Sequence, residues 1–199
     1  MPGRYGAWST IYGWFRRWCR EGLWGRLLGV LAKGAKGKLR FVDGAYVRVH
    51  QDGAPALEDA DDQCVGTSRG GRSSKIHALV DLHGRALKLI ITPGNSHDLK
   101  PAPELIAGLT EAIVVADKGY DSNKFREVIV EAGNLSCIPV KKNAKTAHPL
   151  NRAHYKKRHR VENFFGRIKR HRRIATRYEK TKDSFEGMIL IAAILDWIR

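Results

Sequence analysis

Cysteine is scarce in this chain: three occur in 199 residues, Cys19, Cys64 and Cys137, and no two form a C-x-x-C pair. Neither a disulfide framework nor a zinc knuckle can be built on that spacing, and a reducing compartment suits it best. Long apolar runs are missing too. The stretch from Met188 to Leu195 falls far short of the ~20 residues that span a bilayer, and no apolar core of a signal peptide is found near the start. A soluble, cytoplasmic protein is therefore expected. Acidic residues are few beside basic ones, 20 against 36, for a formal net charge of +16. The hydrophobic share of 43% nevertheless excludes a disordered cationic tail. At roughly 100–200 residues per domain, the length allows one main domain and a small appendage.

The positive charge lies in two blocks. Residues 1–40 hold nine basic and one acidic residue, and residues 141–182 hold sixteen and two. Between them, residues 41–140 hold ten basic and fourteen acidic. Basic blocks of this kind are the electrostatic footprint of a partner such as nucleic acid. The acidic middle separates a purely electrostatic binder, which gains nothing from it, from a phosphoryl-transfer enzyme. The latter needs carboxylates to hold metal ions against a polyanion.

Periodicity gives the elements. Residues 8–32 read as two short helices, the first capped by Ser9 or Thr10 and broken at Gly22. Four of the five tryptophans, Trp8, Trp14, Trp18 and Trp24, fall here, more aromatic surface than two helices can hide alone. A Gly- and Lys-rich linker follows at 33–38. Then come a strand at 39–49, a loop at 51–72, strands at 75–82 and 86–92 around a His83-Gly84 turn, and a helix at 98–109. A short buried strand at 112–116, a helix at 122–132 and a strand at 135–140 complete an order βββαβαβ. A basic loop at 141–150 leads to a helix at 152–170 and a final one at 183–198. Three antiparallel strands followed by crossovers predict an α/β fold: one mixed sheet with helices on both faces, preceded by a short helical region.

Three carboxylates stand out. Asp43 ends the hydrophobic run Leu39-Arg40-Phe41-Val42, Asp117 ends Ile113-Val114-Val115-Ala116, and Glu162 is one of only two acids in the most basic segment. Carboxylates at the ends of adjacent buried strands point into one crevice. With a third from a neighbouring helix they could hold two Mg²⁺ ions ~4 Å apart and cleave a phosphodiester. Taken singly, Asp43 and Asp117 would also serve as turn residues, since each precedes a glycine within two positions. The helix around Glu162 argues for the site. Tyr155, Arg158, Glu162 and Lys169 share a sector of roughly 60°, beside a stripe of Val161, Phe164, Phe165 and Ile168 that would dock it. An Arg158–Glu162 pair at i,i+4 explains two of those four polar residues and leaves the others unexplained. His148, His154, His159 and His171 show no metal-ligand spacing.

The run Tyr155-x2-Arg158-x3-Glu162-x6-Lys169 resembles the signature of the DDE transposases of bacterial insertion sequences. The resemblance extends through Phe41-Val42-Asp43-Gly44, Ser68-Arg69-Gly70-Gly71, Lys75 to Asp81, Pro93 to Asp98, Ala116 to Ser122 and Arg172 to Tyr178, and is greatest to the IS-five family. It covers roughly residues 39–198 and implies an RNase H-like catalytic core preceded by a partial helical DNA-binding region and linker at 1–38. It makes Asp43, Asp117 and Glu162 the catalytic, metal-binding triad, served by two Mg²⁺ ions for which Mn²⁺ substitutes. The implied reaction is cleavage at the element's ends, then attack of the freed 3′-hydroxyl on target DNA.

By the same resemblance Tyr155, Arg158 and Lys169 contact DNA near the cut. Lys118, Tyr120, Arg69, Arg72 and Lys75 are further candidates beside a plain solvated basic face. His97 and Asp98 resemble a family His-Asp pair supporting the site, with capping of the next helix by Asp98 as the other reading. The implied partners are double-stranded DNA, both terminal inverted repeats and target, and a second copy in a homodimer, in a bacterial cytoplasm near the nucleoid. Family members usually carry more sequence before the core, so the chain is expected to be one of two frameshifted frames, or an internal-start or truncated copy. The rival readings are another RNase H-like nuclease, an inactive DNA-binding remnant, and nonspecific RNA binding through the basic blocks.

Overall fold

The computed structural model describes residues 3–56, 59–142 and 146–199. Residues 57–58, in the first expected loop, and 143–145, in the second, lie outside them. Helices α1 (Trp8–Arg20) and α2 (Leu23–Ala32) precede strand β1 (Leu39–Val49). Strands β2 (Gly66–Ser68), β3 (Gly71–Val80) and β4 (Ala86–Pro93) follow, then α3 (Ala102–Ile106), β5 (Ile113–Val115), α4 (Asn123–Glu131) and β6 (Leu135–Cys137). The C-terminal part holds α5 (Arg152–Tyr155), α6 (His159–Ile168), α7 (Arg172–Ala175), β7 (Thr176–Arg177) and α8 (Lys182–Trp197).

The described strands form one seven-stranded mixed sheet. β3 pairs antiparallel with β1 and β4, whereas β5 runs parallel to β1 and β6 parallel to β5. This is the expected α/β arrangement, a mixed sheet of three antiparallel strands continued by two crossovers. Alternation along β1 divides the interior. Leu39, Phe41 and Val47 join the core under α2, α6 and α8, while Val42 joins a second core with α3 and α4. Phe41 and Val42 are both fully buried, each contributing about 1.5–3 kcal/mol of burial to one layer. Asp43 has the parity of Phe41 and so faces the layer that contains α6.

Several local expectations are corrected. Residue Ala7 caps α1 without any side-chain bond, and Ser9 and Thr10 lie inside the helix. The loop at 51–72 contains β2, a three-residue strand too short for periodicity to reveal, which folds back on the start of β3. The helix expected at 98–109 is confined to Ala102–Ile106, because Pro101 stands at its cap and Pro103 supplies no backbone N–H. The helix expected at 152–170 is broken by a tighter turn at Lys156–Arg158.

Neither α7 nor β7 was expected. β7 is two residues long and is held by the fully buried Arg177, whose guanidinium donates to Gln63 O and Ser74 Oγ at 2.8 Å each. The N-terminal helices pack on α8, and Leu28 of α2 is buried in the main core. The approach of α1 is close: a Cβ at Gly187 of α8 would lie 2.3 Å from Cys19 Sγ. Trp8 remains 70% exposed and Trp14 45%.

Candidate active site

Strand pairing sets the two aspartates level. The last paired couple of β1 and β5 is Phe41 with Val115, and Asp43 and Asp117 each lie two residues further along parallel neighbours. Asp43 Oδ1 accepts the Gly44 N–H at 2.8 Å, and Asp117 Oδ1 accepts the Gly119 N–H at 2.8 Å. Among the described residues, the second oxygen of Asp117 has no hydrogen-bond donor.

The third carboxylate comes from α6. Val161, Phe164, Phe165 and Ile168 bury one side of that helix against β1 and β3, which leaves Glu162 half-exposed at the crevice. Between it and Asp43 sits Arg158. Its guanidinium donates to Asp43 Oδ2 at 2.7 Å and to Glu162 Oε1. A cation thus occupies the gap between the two carboxylates. Burial pushes the Asp43 carboxyl above its usual range, with the nearby Asp117 charge adding to that; the Gly44 N–H and Arg158 offset only part of it. Burial would lower Arg158, but Asp43, Glu162 and Asp117 together hold its charge above the ordinary arginine range.

As they stand, no three His, Cys, Asp or Glu side chains among the described residues are grouped closely enough to hold a metal ion. The donor set nonetheless suits a hard divalent cation. It consists of carboxylate oxygens, among which Asp117 Oδ2 and Glu162 Oε2 have no hydrogen-bond donor among the described residues and Asp43 Oδ2 and Glu162 Oε1 are compensated by a positive charge. In this arrangement the Arg158 guanidinium occupies oxygens of Asp43 and Glu162 that a metal would use.

The other expected residues divide. Tyr155 is half-buried and packs on the main core. Lys169 Nζ donates to Tyr46 O at 2.9 Å, tying the end of α6 to β1. Lys118 is exposed beside Asp117. Arg69 and Arg72 are not brought to the site. Arg69 is exposed at the β2–β3 turn, Arg72 donates to Pro55 O at 3.1 Å, and Ala78, the partner of Asp43, lies about 20 Å further along β3.

Lys75 and Tyr120 depart from expectation, because both are buried rather than presented to DNA. Lys75 Nζ lies 2.7 Å from Asp98 Oδ1, an ion pair whose angles are poor for a hydrogen bond. His77 Nδ1 lies 3.5 Å from the same oxygen, and burial lowers the His77 ring to about 4. Asp98 therefore supports β1 and β3 and caps no helix; α3 starts after Pro101. Alternation of Lys75, His77 and the buried Leu79 was the sequence signal that could have turned these side chains inward.

A buried latch fixes the Asp117 turn. Arg126 of α4 donates to Asp121 Oδ1 at 2.8 Å and to Ile138 O at 2.8 Å, and Asp121 Oδ2 accepts the Lys141 N–H at 2.7 Å.

The sequence pattern of the family described as transposase DDE domain matches residues 34–197. The chain belongs to that family. A Brucella ovis protein named for the transposase of insertion sequence element IS6501 is 37% identical over 131 residues, 64% of this chain and 99% of that protein. The Neisseria meningitidis serogroup B transposase for insertion sequence element IS1106 is 35% identical over 125 residues, 60% of this chain and 41% of that protein. Among solved structures, the piggyBac transposase synaptic complex with hairpin DNA aligns with a TM-score of 0.45 at 11% identity, over 79% of this chain and 46% of that one. This DDE transposase is an insertion-sequence enzyme of DNA transposition, and no helix among its described residues is long and apolar enough to cross a membrane.

Proposed function

We propose that this chain is the catalytic part of a transposase that cuts DNA at the ends of an insertion sequence of the IS-five group and joins the freed 3′-ends to target DNA. The observation that carries the reading is that Asp43 on β1 and Asp117 just past the end of the parallel β5 each lie two residues beyond a paired couple, with Glu162 linked to Asp43 through the Arg158 guanidinium. Asp43, Asp117 and Glu162 are the residues that would hold divalent metal, two Mg²⁺ ions or Mn²⁺ in their place. When bound, the metal activates the attacking oxygen and stabilises the leaving one.

The chain's own residues do the rest. The Gly44 and Gly119 N–H groups fix Asp43 and Asp117 before DNA arrives. The Arg158 guanidinium, displaced from the carboxylates, is placed to take a phosphate of the bound strand. Tyr155, Lys118 and Lys169 line the approach, and Arg69 and Arg72 meet the duplex further out. Residues 1–38 act as the helical DNA-binding portion and 39–199 as the catalytic core. Two copies work together on the terminal inverted repeats.

The test is a Mg²⁺-dependent assay on pre-cut and tailed duplexes that distinguishes joining from cleavage. Joined products support the transposase. Cleavage without joining favours another RNase H-like nuclease, and binding with neither favours an inactive remnant.

A further inference from the structure

Tyr120 is the last residue of the tight turn Lys118–Tyr120 that follows Asp117, and its backbone N–H donates to Asp117 O at 3.1 Å. Its side chain is 1% exposed and belongs to the core under α3 and α4, together with Val42 and Ala116, the residues just before Asp43 and Asp117. There it packs on Phe125, with 6.2 Å between ring centroids. A phenylalanine would fill that pocket as well. The tyrosine hydroxyl is nevertheless buried in it with no hydrogen-bond partner among the described residues. Burial first, then the charges of Asp98, Asp43 and Asp117, push this hydroxyl far above the usual tyrosine range, and Arg158 opposes them. The group is therefore a protonated donor set among carboxylates.

Asp98, whose charge acts on the hydroxyl most strongly of the three, has the complementary deficit. Its Oδ1 lies 2.7 Å from Lys75 Nζ, but it is buried and accepts no well-angled hydrogen bond among the described residues. The same oxygen lies directly under β1, because a Cβ at Gly44, the residue after Asp43, would stand 2.7 Å from it. Gly44 has the parity of Val42, so Asp98 and Tyr120 occupy one layer, on the other side of the sheet from α6. A donor that belongs to the Asp117 turn and an acceptor beneath the neighbour of Asp43 are thus both left without a bond. A buried polar group in that condition costs stability, which phenylalanine at 120 would recover.

We propose that Tyr120 is a positioning residue of the metal centre: its hydroxyl donates to Asp98 Oδ1 when the site assembles, and the bond draws the Asp117 turn against β1 from behind. This deepens the transposase reading and rests on it. As they stand, the carboxylates among the described residues are not grouped closely enough to hold a metal, and Arg158 bridges Asp43 and Glu162 only. Asp117 is the member that no side-chain hydrogen bond among the described residues ties to the other two. The bond from Tyr120 to Asp98 supplies that tie through the protein, so that metal binding and bond formation favour each other.

The test is Tyr120→Phe, which keeps the ring and removes the donor. In urea, the metal-free variant is expected to unfold at the wild-type midpoint or above it. Calorimetric titration with Mn²⁺ alone is expected to show binding weakened roughly tenfold or more. The Mg²⁺ concentration that gives half-maximal nicking is expected to rise in parallel, with the rate at saturating Mg²⁺ kept within about threefold of wild type. Asp98→Asn is expected to weaken Mn²⁺ binding too, and adding Tyr120→Phe to it to cost little more, because both changes remove one bond. Unchanged Mn²⁺ affinity in Tyr120→Phe, or fully additive losses in the double variant, would overturn the proposal. So would a urea midpoint well below wild type, which would place the bond in the free fold. The catalytic reading fails separately: Mn²⁺ binding and nicking insensitive to Asp117→Asn remove the metal centre itself, whereas dependence on Asp117 without dependence on Tyr120 removes only the role given to Tyr120.

Discussion

At the scale of single residues, Arg158 decides what state the carboxylates are in. Its guanidinium neutralises Asp43, whose side chain is 20% exposed, and reaches Glu162, which is 53% exposed. On the proposed reading, this internal cation would compete with metal for the same oxygens in the absence of DNA. A phosphate able to draw Arg158 away would therefore favour metal binding, so that substrate and metal support one another. Arg158→Met is expected to tighten Mn²⁺ binding to the DNA-free protein by roughly three- to tenfold, the scale of a partly exposed ion pair. Titration calorimetry checks it, and weaker binding than wild type would show that Arg158 assembles the site instead of guarding it. The Arg158–Glu162 pair was legible from i,i+4 spacing, and the hydrophobic runs drew attention to both aspartates, but only Asp117 follows a strand end; Asp43 lies inside β1, which runs on to Val49. The bond from Arg158 to Asp43, 115 positions apart in sequence, was not, because only the docking of α6 on β1 creates it.

At the scale of elements, the Asp117 turn is held by α4 through the Arg126–Asp121 pair, both partners nearly buried. Removing one partner strands the other charge in the interior. Arg126→Ala is expected to destabilise the protein by about 3–5 kcal/mol in a urea unfolding experiment, and Arg126→Lys, which loses the fork of donors, by less. A loss under about 1 kcal/mol would mean that the turn is held by Asp117 and Gly119 alone. The same scale explains which elements could be read in advance. β1 was legible to the residue because it is rich in apolar residues that serve both cores, Phe41 and Val47 on one face and Val42 on the other. β2 and β7 were not, because three- and two-residue strands exist only through their partners in β3 and β1. The break between α5 and α6, a single tighter turn at Lys156–Arg158, leaves the helical period intact and so leaves no mark in a periodic pattern.

At the scale of the whole molecule, the sheet puts sequence-distant charge to common use. The acidic middle segment supplies Asp43 and Asp117, and the basic segment that follows supplies Arg158 and Glu162 at the same crevice. Basic residues around a carboxylate centre attract a polyanion and then present it to the groups that would hold metal. Their contribution weakens with salt through counterion release, in any DNA-binding reading of this chain. Salt dependence therefore cannot separate a catalyst from a passive binder, but removal of a single carboxylate can. The direct measurement is Mg²⁺-dependent nicking of DNA by wild type and Asp117→Asn, with DNA affinity measured on the same preparations. The account predicts that the variant loses at least about a hundredfold in nicking while binding DNA as tightly as wild type. Nicking by Asp117→Asn at the wild-type rate would contradict it.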